Sequence, residues 1–165
     1  TKEQMYHEMI ATLGGRAAEQ IIFGHISTGA LNDLEKVSKQ AYAMVTYYGL
    51  NEKIGNVSYY DSTGQNDYAF TKPFSEKTAE VIDQEVSKLI ESAYQEAIRI
   101  LNEHKVGLTQ LAEKLIDREV IFADDLENIF GKRPWTPESR DFSRTSNQKD
   151  ESEIKVEESD NTSIA

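Results

Sequence analysis

An apolar residue returns at every fourth position from Met5 through Met9, Leu13 and Ala17 to Ile21, and this spacing commits the start of the chain to an amphipathic α-helix. Ile10, Ala18 and Ile22 widen the stripe to a face that must be buried. The predicted helix runs from Glu3 to Phe23 and stops at Gly24-His25, where glycine adopts the left-handed cap without steric cost. Gly14 and Gly15 lie inside it and cost about 1 kcal/mol each against alanine, a pair tolerated where another backbone packs close by.

A chain that opens on such a face needs partner helices, and the same period supplies them. A second helix is predicted over Leu31 to Tyr48, with Leu34, Val37, Ala41, Met44, Val45 and Tyr48 inward and Gly49 closing it. Ser75 caps a long third helix, Glu76 to Lys105, whose seam Ala79, Ile82, Val86, Leu89, Ala93 and Ile100 is sustained enough to want a partner helix. Ile90, Tyr94, Ala97 and Leu101 lie beside that seam and suit either an internal bundle or a contact between subunits. Two shorter helices follow, Leu108 to Ile116 and Ala123 to Phe130, joined by Asp117 to Ile121.

Residues 50–74 are rich in Gly, Asn, Asp and Ser and are predicted to be irregular, with a short strand over Asn56 to Tyr60 as the one β candidate. The fold class is therefore mainly α, a helical bundle occupying residues 1–135. Residues 136–165 are acidic, serine-rich and nearly devoid of large apolar side chains, and are predicted to be a disordered tail.

Charge narrows the function classes. A net charge of −11 with no basic stretch argues against nucleic acid as a partner, because such binding needs cations that replace counterions. The chain has no cysteine, so a metal site must use His, Asp or Glu. No apolar run is long enough to span a bilayer and no signal-peptide pattern opens the chain. Because it starts at Thr1 and enters a helix at once, it reads as a soluble piece of a longer protein.

His7-Glu8 looks like the start of a zinc-peptidase helix motif, but such a motif needs a second histidine four residues on, and Ala11 stands there. His7 is therefore expected on a helix surface, and neither His25 nor His104 has the spacing to replace the missing ligand. The denser signal is Leu13-Gly14-Gly15-Arg16-Ala17-Ala18-Glu19, followed by Ser27-Thr28-Gly29-Ala30-Leu31-Asn32-Asp33-Leu34. Taken by itself, Asp33 is a first-turn carboxylate favoured by the helix dipole, and Glu19 is an exposed helix glutamate.

These segments, together with Asn51-Glu52-Lys53-Ile54-Gly55 and Ser75 to Glu85, resemble in order and spacing the peptidase domain of the FtsH family of ATP-dependent AAA+ zinc metalloproteases. Lys72-Pro73-Phe74-Ser75 is similar to the mitochondrial, paraplegin-like relatives. The resemblance runs from the N-terminus to about Trp135. It implies a zinc held by two histidines of an upstream HExxH-type helix and by an aspartate that Asp33 matches. Glu19 matches a family glutamate, implied to orient a zinc histidine through an outer hydrogen bond.

The same resemblance implies an upstream general-base glutamate, so no catalytic residue is expected in this chain and it should be inactive alone. It further implies ATP and Mg on an ATPase module outside the chain, protein substrates, and a homo- or hetero-hexamer. Membrane attachment would come through N-terminal segments outside the chain, in the bacterial inner membrane facing the cytoplasm or in the mitochondrial inner membrane. The rival reading is a helical interaction or oligomerisation module without chemistry, which has no reason to place the TGA-x-NDL loop beside GGRAAE.

Overall fold

The computed structural model describes residues 1–59 and 73–132, and within them five α-helices account for nearly all regular structure. They are α1 (Lys2–Phe23), α2 (Leu31–Thr46), α3 (Glu76–Glu103), α4 (Lys105–Arg118) and α5 (Ala123–Phe130). A 3-10 turn, Thr28–Ala30, leads directly into α2. Thr1 starts α1 with a capping box: its hydroxyl accepts from the Gln4 N–H, and the Gln4 side chain reaches back to the Thr1 amine. Gly24 ends α1 at φ 70°, as the glycine predicts.

The helices α1, α2 and α3 pack around a core of Met9, Leu13, Val37, Ala41, Met44 and Ala93, all at most 2% exposed. The predicted stripes of α1 and α2 converge there, and Val86, Leu89, Ile90 and Tyr94 of α3 lie against it half-buried. Both sides of α3 are thus used within the chain, as an internal bundle requires. Ile100, the last residue of its predicted seam, is exposed at 36%. Polar ties fix the register: the hydroxyls of Tyr6 on α1 and Ser92 on α3 are 2.8 Å apart, and the Gln40 amide on α2 donates to Met5 O and Glu8.

Several expectations are corrected. No strand occurs among the described residues; residues 56–59 are irregular, and residue 60 lies outside them. The segment is held instead by the Tyr59 N–H donating to Thr46 O at 2.8 Å. α2 stops at Thr46, and Tyr48 is 59% exposed, because Gly49 at φ 61° turns the chain away from the helical path. α3 ends at Glu103, two residues before the predicted Lys105, and α4 starts at Lys105, three residues before the predicted Leu108. One non-helical residue, His104, separates them, and the Phe130 ring meets it edge-on and sits over Gly107, where a Cβ would lie 2.5 Å from Phe130 Cε1.

Among the described residues the two glycines of α1 meet no backbone of another element: a Cβ on Gly14 or Gly15 would find nothing within 4 Å, so the close approach they permit is not made there. Gly15 is exposed and helical, and Gly15→Ala is expected to raise stability by about 0.5–1 kcal/mol through helix propensity alone, read as an upward shift of the urea midpoint.

The loop after α2 is tied to α3 by a buried acid. Glu85 accepts from the Asn51 amide at 2.9 Å and pairs with Lys53 at 2.5 Å, while Asn51 Oδ1 takes the Lys53 and Ile54 N–H groups. The hydrogen bond from Asn51, then that from Lys53, holds the Glu85 carboxyl below its ordinary 4.5. A lowered carboxylate pKa contributes stability that is present above the unfolded value and lost as pH falls through the folded one. Glu85→Gln is thus expected to cost about 1–2 kcal/mol at pH 7, toward the low end because Lys53 is 58% exposed. The gap to the native chain should narrow as pH falls below the ordinary glutamate value and close once it passes the lowered folded one, read in paired thermal melts.

Residues Thr1–Phe130 form one compact unit; the second begins at Gly131, and beyond Lys132 it lies outside the described residues, as does the expected tail 136–165. No helix among the described residues is long and apolar enough to cross a membrane.

Candidate functional site

The two sequence segments that carry the site expectation meet where α1 turns into α2. Gly24 reverses the chain after α1, its N–H bonded to Gln20 O at 3.1 Å, and the loop doubles back beside the last turns of the helix. This brings Ser27 against Glu19, eight residues earlier. Both carboxylate oxygens are engaged: Oε2 accepts the Ser27 N–H at 3.0 Å and Oε1 the Ser27 hydroxyl at 2.7 Å. These bonds, the backbone one first, hold the Glu19 carboxyl below its usual value, with smaller help from Arg16 and His25.

Ser27 has a second task. Its backbone is extended (φ −102°, ψ 177°), and its Oγ accepts the Gly29 N–H at 3.2 Å, capping the 3-10 turn. The turn passes into α2 at Leu31 without an intervening loop residue, and Ala30 is buried beneath it. Ile26 and Leu34, the chain neighbours of Ser27 and Asp33, line a groove of about 430 Å³ together with Arg16, Gln20, Ile90 and Tyr94. Asp33 itself stands exposed in the first turn of α2, where an anion is favoured by the helix dipole.

Glu19 is therefore not the free surface glutamate that its helix position alone suggests; it is half-buried and bonded to the loop. His7 and Glu8 are exposed on α1, as expected of a helix surface. His25 is turned to its own loop, with Nδ1 2.9 Å from Phe23 O. His104 lies between α3 and α4. Among the described residues no three His, Asp or Glu side chains gather closely enough to hold a metal ion. Asp33 is a single exposed carboxylate, and the described residues do not make a complete zinc set around it. Ser27 was read from sequence only as loop, although a serine two positions before a glycine at a helix start is the pattern of a side-chain cap.

Comparison with known proteins agrees with this arrangement of motifs. The model of peptidase family M41 matches residues 1–129. The "ATP-dependent zinc metalloprotease FtsH" of Parabacteroides distasonis is 58% identical over 142 residues, covering 86% of this chain and 21% of that protein. The "ATP-dependent zinc metalloprotease FTSH 3, mitochondrial" of Arabidopsis thaliana is 47% identical over 135 residues, 82% of this chain and 16% of that protein. The "Mitochondrial inner membrane m-AAA protease component AFG3L2" of Mus musculus is 44% identical over 139 residues, 84% of this chain and 17% of that protein. The chain thus spans about a fifth of the length of the curated relatives it matches or less. With nearly the whole helical unit matched by one family model, the chain belongs to peptidase family M41, the peptidase domain of the FtsH zinc metalloproteases.

Proposed function

We propose that this chain is the C-terminal part of the peptidase domain of a membrane-anchored, ATP-dependent zinc metalloprotease, and that Asp33 is its contribution to the metal. The observation that carries the reading is the exposed Asp33 carboxylate at the start of α2, on a loop whose sequence and order follow those of relatives named as zinc metalloproteases. A peptidase zinc lowers the pKa of a bound water and polarises the scissile carbonyl. This chain's share is one carboxylate on a rigid helix start; the histidine ligands and the general-base glutamate belong to residues outside it. Glu19, fixed on the loop by Ser27, keeps one free lone-pair direction on each oxygen and is suited to accept from a ligating histidine.

ATP-driven delivery of protein substrates, assembly as a homo- or hetero-hexamer, and an inner-membrane setting, bacterial or mitochondrial, complete the proposal by likeness to the named relatives. The test compares this chain with a longer form that includes the residues encoded upstream of Thr1. The longer form is expected to bind about one zinc per chain and hydrolyse unfolded casein, with both lost to a chelator, while this chain does neither. A longer form that folds yet holds no zinc would overturn the metalloprotease reading in favour of a helical interaction module.

A further inference from the structure

The contact between α1 and the loop before α2 supports one step more. Residues 24–29 are all exposed, and Ala30 is the first residue after α1 that is buried. Beyond the Gly24 cap and the His25 ring beside Phe23 O, the polar ties that join this loop to α1 come from one residue, Ser27, whose N–H and hydroxyl both donate to Glu19 while its Oγ accepts from Gly29. From Ser27 onward the chain is continuous turn and helix, so Asp33 stands at a fixed rotation and height relative to Ser27.

We propose that Ser27 is a positioning residue: gripped by Glu19, it sets the start of α2 and with it the place of the Asp33 carboxylate. Its functional meaning rests on the reading of Asp33 as a metal ligand; the mechanical part does not. A hydroxyl is needed because one group must donate to a carboxylate and accept an amide, which Ala cannot do and Cys does only weakly. Threonine can, since the Ser27 backbone is in the extended region that β-branched residues favour.

The experiment uses the whole chain and follows residues that Glu19 does not touch. In Glu19→Ala and Ser27→Ala, amide exchange at Gly29 is expected to rise at least tenfold and the backbone resonances of Asn32 and Asp33 to move, while core amides of α1 and α3 stay protected. Ser27→Thr should restore the native pattern. Unchanged exchange at Gly29 and unmoved resonances at residues 32 and 33 in Glu19→Ala would overturn the proposal. In the longer form, Ser27→Ala should weaken zinc binding about tenfold and Ser27→Thr should not, as loss of an outer hydrogen-bond partner does elsewhere. Zinc binding unchanged in Ser27→Ala but lost in Asp33→Ala would overturn positioning and keep the ligand. Zinc binding retained in Asp33→Ala would remove the ligand reading while the exchange data still decide what Ser27 does.

Discussion

Asp33→Ala, placed in a form of the protein that carries the upstream residues, is expected to lower zinc from about one per chain to less than about a tenth. The loss should exceed the roughly 10–100-fold that removal of an outer hydrogen-bond partner costs, because a ligand itself disappears and only the two histidines of the proposed set remain. Casein hydrolysis should fall with the zinc. What makes the experiment decisive is how little else Asp33 does. It is exposed, and among the described residues its structural interaction is with the dipole of α2, worth about 0.3–1 kcal/mol. The thermal midpoint without metal should therefore shift by only a few degrees. Equal zinc in both forms would take Asp33 out of the metal site, whatever the folding data show.

Leu13→Ala should give the largest loss of stability, about 3 kcal/mol within the 2–5 kcal/mol seen for such truncations. Leu13 is 1% exposed and lies in the cluster where α1, α2 and α3 meet, so few mobile side chains are available to collapse into the space. Against the 5–15 kcal/mol total of a small domain, this is a large fraction. Urea unfolding followed by circular dichroism is the measurement, with a lower midpoint at unchanged slope as the expected result. Leu115→Ala on α4, where the side chain is 47% exposed, provides the contrast and should stay within about 0.5 kcal/mol. Equal effects at the two sites would mean that the core is not where α1, α2 and α3 converge.

The bundle was legible because its determinants are local. A stripe such as Met5, Met9, Leu13, Ala17 needs no knowledge of the partner to announce a buried face, and Gly24 and Ser75 announce helix ends by conformation and capping alone. What sequence reading misplaced depends on where the chain goes next. Tyr48 continues the apolar pattern of α2, yet the turn at Gly49 leaves it in solvent. Gly14-Gly15 permit a neighbouring backbone that the described residues do not supply. Asp33 and Glu19 are singled out as a proposed ligand and its orienting partner by the family motifs alone, while their own local pattern points only to a dipole partner and a surface acid. The Glu19–Ser27 grip and the Asn51–Glu85 tie were out of reach, since each joins segments brought together by a reversal of the chain.

The manner in which α4 and α5 are attached has a consequence for how this molecule comes apart. Every buried apolar side chain among the described residues belongs to α1, α2, α3 or the turn before α2. The last two helices bury none fully; they rest on half-buried Leu108, Leu111, Ile121 and Ile129, on the Lys114–Asp125 ion pair, on Asp125 accepting the Phe122 N–H at 3.0 Å, and on the Phe130 ring over Gly107. Their opening therefore forfeits less burial than opening of the three-helix core, and cooperativity is expected to weaken near His104. Residues 105–130 should behave as a separate foldon that opens many times for each global unfolding event, so a protease would nick the chain there long before the three-helix core yields.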